Sequence, residues 1–159
     1  MNIVIFASPG IMGPSIVLAL MKRAQDKIKL IVRASSIHAA NPQDLISLAE
    51  YGKIPHCAPD DLNDAAFVQR VARCQPELII VASFDRKIPQ SVIKTARFGA
   101  VNVHPSLLPR YRGACPEFWA IRNGDTTTGV TLHKLSDIYD EGDVIAQEIC
   151  EIKDHDTLG

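Results

Sequence analysis

The sequence predicts an α/β fold, a three-layer sandwich built on a mostly parallel sheet. Apolar stretches of strand length alternate with segments of helical periodicity along the chain, which is the pattern of parallel βαβ units. The stretch LIIVAS (78–83) is apolar almost throughout, which is typical of a strand buried on both faces of a parallel sheet. The 159 residues contain no internal repeat or linker, so the sequence predicts one domain, residues 1–159.

The first half of the chain supplies alternating strands and helices. Asn41-Pro42 is a helix-start signal, because Asn caps the first turn and Pro suits the first helical position, and Gly52 ends that helix. The predicted elements are a strand at 2–7, a helix at about 13–24, a strand at 28–33, a helix at 42–52, a short strand at 54–57, a helix at 61–74 and a strand at 78–83. The residues expected to be buried in the helix at 61–74 are Leu62, Ala66, Val68 and Val71.

The second half is punctuated by proline and glycine. Pro89 marks the start of a short helix that ends at about 96, and Gly99 precedes the strand AVNVH. Pro105 ends that strand because it has no N–H to donate. A helix at 116–124 and strands at 130–135 and 144–152 follow, the last two pairing antiparallel across the turn DIYDEGD. Asp156 resembles a helix N-cap with no helix behind it. We therefore expect a domain truncated at its C-terminus, without its terminal helix or any further domain.

Net charge, apolar runs and cysteine spacing limit the classes of function that this chain can have. The formal net charge is −1, so there is no global basic field for nucleic acid. No apolar run approaches the ~20 residues that span a bilayer, and the N-terminus lacks the charged region of a signal peptide. The four cysteines show no metal-like spacing, and Cys115 is disfavoured as a nucleophile because no pattern activates it. These features predict a cytoplasmic protein with no metal and no membrane partner; they do not indicate its oligomeric state.

Asn102 and His104 form the most informative pair. They are two residues apart on a predicted strand, so their side chains project from the same face at its carboxyl end, where open α/β sheets build ligand sites. A carboxamide and an imidazole can both donate hydrogen bonds, and the imidazole can carry a proton, which suits chemistry on a carbonyl group.

An acidic turn supplies a carboxylate for this pair. Asp137, Asp140 and Asp143 compete for that role, and spacing alone does not choose between them. A carboxylate beside an imidazole favours the protonated ring, which keeps an acid useful near neutral pH.

Two segments are candidate phosphate sites. The turn SPGIMG carries Gly10 and Gly13 but not the three glycines of a dinucleotide fingerprint, which disfavours an NAD-dependent enzyme. Ser8 and Gly10 are candidates for a backbone nest around a substrate phosphate, and a plain strand–helix turn is the competing interpretation. Arg110 and Arg112 are either phosphate contacts or solvated surface charges.

Two blocks carry a resemblance to a known family. NVHPSLLPRYRG (102–113) and TGVTLHKLSDIYDEGDVIAQ (128–147) resemble the two signatures of the folate-dependent formyltransferases, in the branch of the methionyl-tRNA and sugar-nucleotide enzymes, and VASFDRKIP (81–89) is also similar. The resemblance implies a Rossmann-like catalytic domain in one-carbon metabolism, of the hydroxymethyl- and formyl-transfer class. It implies 10-formyltetrahydrofolate as formyl donor.

The resemblance also implies roles for individual residues. Asn102, His104 and Asp140 match the family's catalytic trio, since the separation from Gly129 to Asp140 is that of the family. The residues that match the folate-binding segments are Phe84, Asp85, Arg86, Lys87, Ile88 and Asp137.

The acceptor is expected to be a small amine. The stretch after the second strand, RASSIHAANPQD, has a single arginine, whereas methionyl-tRNA formyltransferases have a basic insertion there. We therefore expect an amino-sugar nucleotide or another small phosphorylated amine, and tRNA is disfavoured but kept as a possible acceptor. The same residues would also suit a formyltetrahydrofolate hydrolase or a non-catalytic folate-binding domain.

Overall fold

The computed structural model describes residues 1–34 and 43–157. It divides the chain into two compact units, Met1–Ala100 and Val101–Gly159. The predicted helix start at Asn41-Pro42 lies outside the described residues, and so do Leu158 and Gly159, which follow the N-cap signal at Asp156.

The first unit is an alternation of parallel strands and helices. Its elements are β1 (Asn2–Ala7), α1 (Met12–Met21), β2 (Lys27–Arg33), α2 (Gln43–Tyr51), β3 (His56–Cys57), α3 (Ala65–Arg73), β4 (Leu78–Ala82) and α4 (Gln90–Ile93). The strands lie in the order β3-β2-β1-β4, and each neighbouring pair is parallel. Central strand β1 is buried from Ile3 to Ala7, as its apolar sequence requires. The arrangement confirms the predicted α/β, Rossmann-like class with a mostly parallel sheet.

Helix α3 begins later than predicted, which changes its buried face. The side chain of Asp64 accepts a hydrogen bond from the backbone N–H of Phe67 at 3.0 Å, so Asp64 is the N-cap and the helix begins at Ala65 rather than at 61. Phe67 and Val71, four residues apart, are buried. The expectation that Ala66 is buried was wrong, because Ala66 lies on the exposed side, and Leu62 is buried in the turn before the helix.

The second unit is an antiparallel sheet with one helix. It contains β5 (Ala100–His104) from Val101 onward, α5 (Pro116–Arg122), β6 (Thr127–Lys134) and β7 (Val144–Glu151). Strand β6 pairs antiparallel with both β5 and β7, and its register places Asn102 opposite His133. It starts three residues before the predicted 130, because the ladder with β7 continues to the pair Thr127 and Glu151. The antiparallel pairing predicted for the last two strands is confirmed.

No helix within residues 1–34 and 43–157 is long and apolar enough to cross a lipid bilayer.

Candidate active site

Strand β5 ends at the centre of the candidate site. His104 is its last residue and is only 4% exposed, and Asn102 lies two residues earlier on the same face. Pro105 interrupts the strand ladder directly after His104, so the chain leaves the sheet there and enters the loop at 105–113.

Hydrogen bonds from β6 and β7 fix the first half of this loop. The hydroxyl of Thr131 accepts from the backbone N–H of Leu108 at 3.1 Å and donates to the carbonyl oxygen of Ser106 at 2.6 Å. Ser106 in turn donates to the carbonyl oxygen of Arg110 at 2.6 Å. The amide of Gln147 donates to the carbonyl oxygen of Leu108 and to the hydroxyl of Thr131, each at 2.9 Å. Since Ser106 and Thr131 are completely buried, these bonds replace water and hold the loop in one shape.

The second half of the loop returns to the histidine. Nε2 of His104 lies 2.9 Å from the carbonyl oxygen of Tyr111. A carbonyl oxygen only accepts, so this nitrogen carries hydrogen. Nδ1 of His104 faces Oδ1 of Asp140 at 3.6 Å, which is longer than a hydrogen bond and leaves Nδ1 open to a further partner.

Asp140 is the carboxylate of this cluster. Its side chain is 8% exposed. Oδ2 accepts from the backbone N–H of Gly113 at 2.8 Å, and Oδ1 lies 3.4 Å from both Nδ2 of Asn102 and Nε2 of His133. The turn that carries Asp140 is tight: a Cβ on Gly142 would collide with the backbone of Lys134.

The surroundings of Asp140 favour its ionised form. Burial is the largest influence and on its own would raise the pKa of the carboxyl group. The hydrogen bond with His133, the hydrogen bond from Gly113 and the charges of His104 and His133 together outweigh it, so the pKa of Asp140 lies below its ordinary value. The carboxyl group is therefore an anion at neutral pH.

The other two acidic candidates lie on the surface. Asp143 is 81% exposed and pairs with the ammonium group of Lys134 at 3.0 Å. Asp137 is also exposed. Of the three acids between which spacing could not choose, Asp140 is the one beside the Asn102–His104 pair.

His133 was not identified from the sequence as a site residue. Its ring is 2% exposed, with Nε2 3.1 Å from Nδ2 of Asn102 and Nδ1 2.9 Å from the carbonyl oxygen of Lys134. The sequence TLHK did contain a signal for His133. Thr131 and His133 are two residues apart on β6, so both side chains lie on the same face of the strand, and that face is buried.

Carboxylates pair with both predicted phosphate-binding arginines. The guanidinium of Arg110 contacts both oxygens of Asp125, at 2.7 and 3.0 Å. That of Arg112 contacts Glu141 at 2.6 Å. A phosphate that binds either arginine would therefore have to compete with a carboxylate, although both guanidinium groups are exposed to solvent, which weakens such pairs.

The remaining predicted contacts belong to the first unit. Ser8 and Gly10 lie in the turn between β1 and α1, where a Cβ on Gly13 would stand 2.5 Å from the carbonyl oxygen of Ser8. Within the segment Phe84–Ile88, Phe84 packs edge to face on Phe6, and the guanidinium of Arg86 lies 5.3 Å from the Phe84 ring. Ile88 is buried, whereas Asp85 and Lys87 are exposed.

Metal ligands do not cluster in the described part of the chain. Among residues 1–34 and 43–157, no group of three or more His, Cys, Asp or Glu side chains is arranged to hold a metal ion.

Comparison with known proteins identifies the family. A family model described as formyl transferase matches residues 12–159. The chain belongs to the formyl transferase family. The resemblance seen in the two sequence blocks is thereby confirmed.

Curated members of the formyl transferase family are similar over much or all of the chain. The methionyl-tRNA formyltransferase of Syntrophus aciditrophicus is 40% identical over 107 residues, which are 67% of this chain and 34% of that protein. The one from Pelotomaculum thermopropionicum is 32% identical over 163 aligned residues, which cover 100% of this chain and 52% of that protein. The chain thus spans about half the length of these relatives, or less.

A solved structure of the family shares the fold. The phosphoribosylglycinamide formyltransferase from Bacillus halodurans superposes with a TM-score of 0.78 at 25% identity, over 99% of this chain and 83% of that one.

Proposed function

We propose that this chain transfers a formyl group from 10-formyltetrahydrofolate to an acceptor amine, with Asn102, His104 and Asp140 as the reacting groups. The observation that carries the proposal is the convergence of these three side chains in a member of the formyl transferase family. An amide, an imidazole and an ionised carboxylate that lie close together form a set suited to acyl transfer without a covalent intermediate.

Charge stabilisation is the first task of the site. When the amine nitrogen attacks the formyl carbon, the carbon–oxygen π bond opens and negative charge develops on the formyl oxygen. Nδ1 of His104, which has no hydrogen bond to Asp140 at 3.6 Å, is placed to donate to that oxygen when the ring is protonated. Asn102 adds an amide N–H when its NH2 group is turned toward the substrate. Such donors are typically worth about 3 kcal/mol each.

Proton transfer is the second task. The attacking amine must lose a proton. As the carbon–oxygen π bond re-forms, the bond from the formyl carbon to the folate nitrogen breaks, and that nitrogen must gain a proton. Ionised Asp140 accepts the first, directly or through a water molecule, and protonated His104 supplies the second. Asp140 also stabilises the positive charge on His104, because the two groups lie 3.6 Å apart within a mostly buried cluster.

The folate is proposed to contact the segment Phe84–Ile88 and Asp137. The buried Ile88 anchors that segment, and the side chains of Asp85 and Lys87 are exposed. The backbone N–H and C=O groups of the segment are therefore the proposed hydrogen-bonding partners of the pterin ring. Specific recognition by the backbone needs no particular side chain at 85–87.

The acceptor amine is the less defined part of the proposal. The names of the two curated relatives favour methionyl-tRNA, whereas the solved structure is that of a phosphoribosylglycinamide formyltransferase. The amino-sugar nucleotide expected from the sequence stays a prediction; the few arginines near the site support it, since they suit one phosphate better than a nucleic acid backbone. Ser8, Gly10, Arg110 and Arg112 remain the proposed contacts to that acceptor.

One assay tests donor and acceptor together. The full chain is incubated with 10-formyltetrahydrofolate and, in parallel, methionyl-tRNA, a panel of amino-sugar nucleotides, or no amine. Formylated amine with loss of the donor is the expected result, and formate release in the tube without amine would replace transfer by hydrolysis. Donor that stays intact in every tube would contradict the proposal.

A further inference from the structure

His133 has hydrogen-bonding constraints on both ring nitrogens. Nδ1 lies 2.9 Å from the carbonyl oxygen of Lys134, which can only accept, so Nδ1 carries hydrogen in both the neutral and the protonated ring. The neutral ring therefore has its lone pair on Nε2. That lone pair accepts from Nδ2 of Asn102 at 3.1 Å.

This arrangement commits the amide hydrogens of Asn102 to protein groups. One is directed at Nε2 of His133, and Nδ2 also lies 3.4 Å from Oδ1 of Asp140. With both hydrogens occupied, Asn102 has none to offer a substrate oxygen. The structure thus contains Asn102 in an orientation that does not supply the donor which the proposed chemistry requires.

A proton on Nε2 of His133 would reverse the amide. The protonated ring presents N–H to Asn102, and Nδ2 cannot accept it. Rotation of the amide by half a turn places Oδ1 against that N–H, gives up the 3.4 Å hydrogen bond from Nδ2 to Asp140 and directs the NH2 group away from the ring. Asp140, 3.4 Å from Nε2, stabilises the protonated ring at the same time.

We propose that His133 is a positioning residue whose Nε2 proton determines which end of the Asn102 amide faces the formyl group. This inference rests on the proposed formyl transfer and adds a residue to it. According to this inference, Asn102 can donate a hydrogen bond to the developing oxyanion only when His133 is protonated.

The charged and titratable groups around His133 are few. His104 approaches from β5 with its ring centroid 6.3 Å away, and Asp140 approaches from the turn after β6. Strand β7 places the uncharged Val144 opposite His133, and the ammonium group of Lys134 is paired with Asp143 on the surface. Any pH-dependent shift of the Asn102 amide signal must therefore be separated from the effects of proton binding at His104 and Asp140.

Nuclear magnetic resonance of the full chain reads the amide directly, without any substrate. Ring nitrogens and side-chain amides labelled with nitrogen-15 are followed from about pH 5 to about pH 9, the range in which histidines titrate. The expected result is a neutral His133 with hydrogen on Nδ1, and an Asn102 amide signal that shifts with the midpoint of His133. An Asn102 signal that does not respond to His133, or a neutral ring with hydrogen on Nε2, would overturn the inference whether or not the chain transfers formyl groups.

Two variants separate positioning from packing. His133→Gln keeps hydrogen-bonding ability but cannot titrate, so the Asn102 signal should lose the His133-linked shift while transfer stays within about 10-fold of the parent. His133→Phe keeps a ring without polar atoms, and kcat should fall about 100-fold with little change in KM for the folate, as when one oxyanion donor is lost. His155→Gln, an exposed histidine, is the matched control. If His133→Phe has the parent kcat, or His133→Gln keeps the Asn102 shift, the inference is wrong; well-dispersed spectra check that each variant is folded.

Discussion

The carbonyl oxygen of Tyr111 lies 2.9 Å from Nε2 of His104, so the loop that follows this histidine fixes which of its nitrogens carries hydrogen. The opposite nitrogen, Nδ1, is thereby directed toward Asp140 and the space beside it. Tyr111 can hold this position because its hydroxyl donates to Asp125 at 2.7 Å. A backbone carbonyl group therefore determines which ring nitrogen of the proposed catalytic histidine carries hydrogen, and a motif of side chains does not reveal this.

Removal of His104 should abolish most formyl transfer. We expect His104→Ala to lose about 100- to 10,000-fold in kcat, because it removes both the proton donor and the charge. His104→Gln can still donate to the Tyr111 carbonyl, so it separates loop positioning from proton transfer and should be nearly as inactive. Single-turnover assays with saturating donor measure the loss. Transfer within a few-fold of the parent in either variant would remove His104 from the mechanism.

Asp140 should make folding stability depend on pH in the acid range. Its folded-state pKa is lower than its ordinary value of 3.8, so its contribution is complete above about pH 4 and is lost as the pH falls through the folded-state pKa. Asp140→Asn should therefore show a shallower loss of stability below about pH 4 than the parent, together with a large loss of transfer. Urea denaturation midpoints across that range test the slope. Equal slopes in the two proteins would contradict the ionised, hydrogen-bonded carboxylate.

Gly129 should tolerate no side chain. A Cβ there would collide with the carbonyl oxygen of Glu148 and stand 2.6 Å from Leu107, so Gly129→Ala must separate β6 from β7 and displace the loop. We expect a loss of about 3 kcal/mol in the free energy of unfolding, at the upper end for overpacked sites. Gly124→Ala is the control: its surroundings are open, and only its φ of 71° opposes a side chain, at about 1 kcal/mol. Similar losses in the two variants would show that the close approach does not constrain the sheet.

The chain should bind reduced folates and not NAD. Gly10 and Gly13 are the only glycines in the turn after β1, so the third glycine of a dinucleotide fingerprint is missing. Calorimetric titration with 5-formyltetrahydrofolate, a stable analogue, and with NAD should give saturable heat for the first alone. Binding of NAD without any response to the folate would exclude the proposed donor.

Much of the fold was accessible from the sequence because its signals are local. Proline and glycine marked the boundaries around β5 and α5, and apolar runs marked the central strands of the first unit. The start of α3 was misplaced because Asp60, Asp61, Asn63 and Asp64 all resemble caps, and only the contact between Asp64 and Phe67 selects one.

The site was partly predictable for the same reason. Asn102 and His104 are neighbours on one strand, so a two-residue period finds them. His133 and Gln147 reach the site only through the antiparallel register of β5, β6 and β7, which the sequence does not specify residue by residue. The choice of Asp140 over Asp137 and Asp143 came from family resemblance, since all three belong to one acidic turn.

The hydrogen bonds of Gln147 have a consequence for the timing of synthesis. The carbonyl oxygen that Gln147 holds belongs to Leu108, which leaves the ribosome 39 residues earlier. Until β7 has been translated, the loop at 105–113 lacks its hydrogen bond from Gln147, and Asp140 lacks the strand that follows it. In a nascent chain, His104 is therefore synthesised before Asp140 and Gln147, and the site can be complete only after translation has passed residue 147.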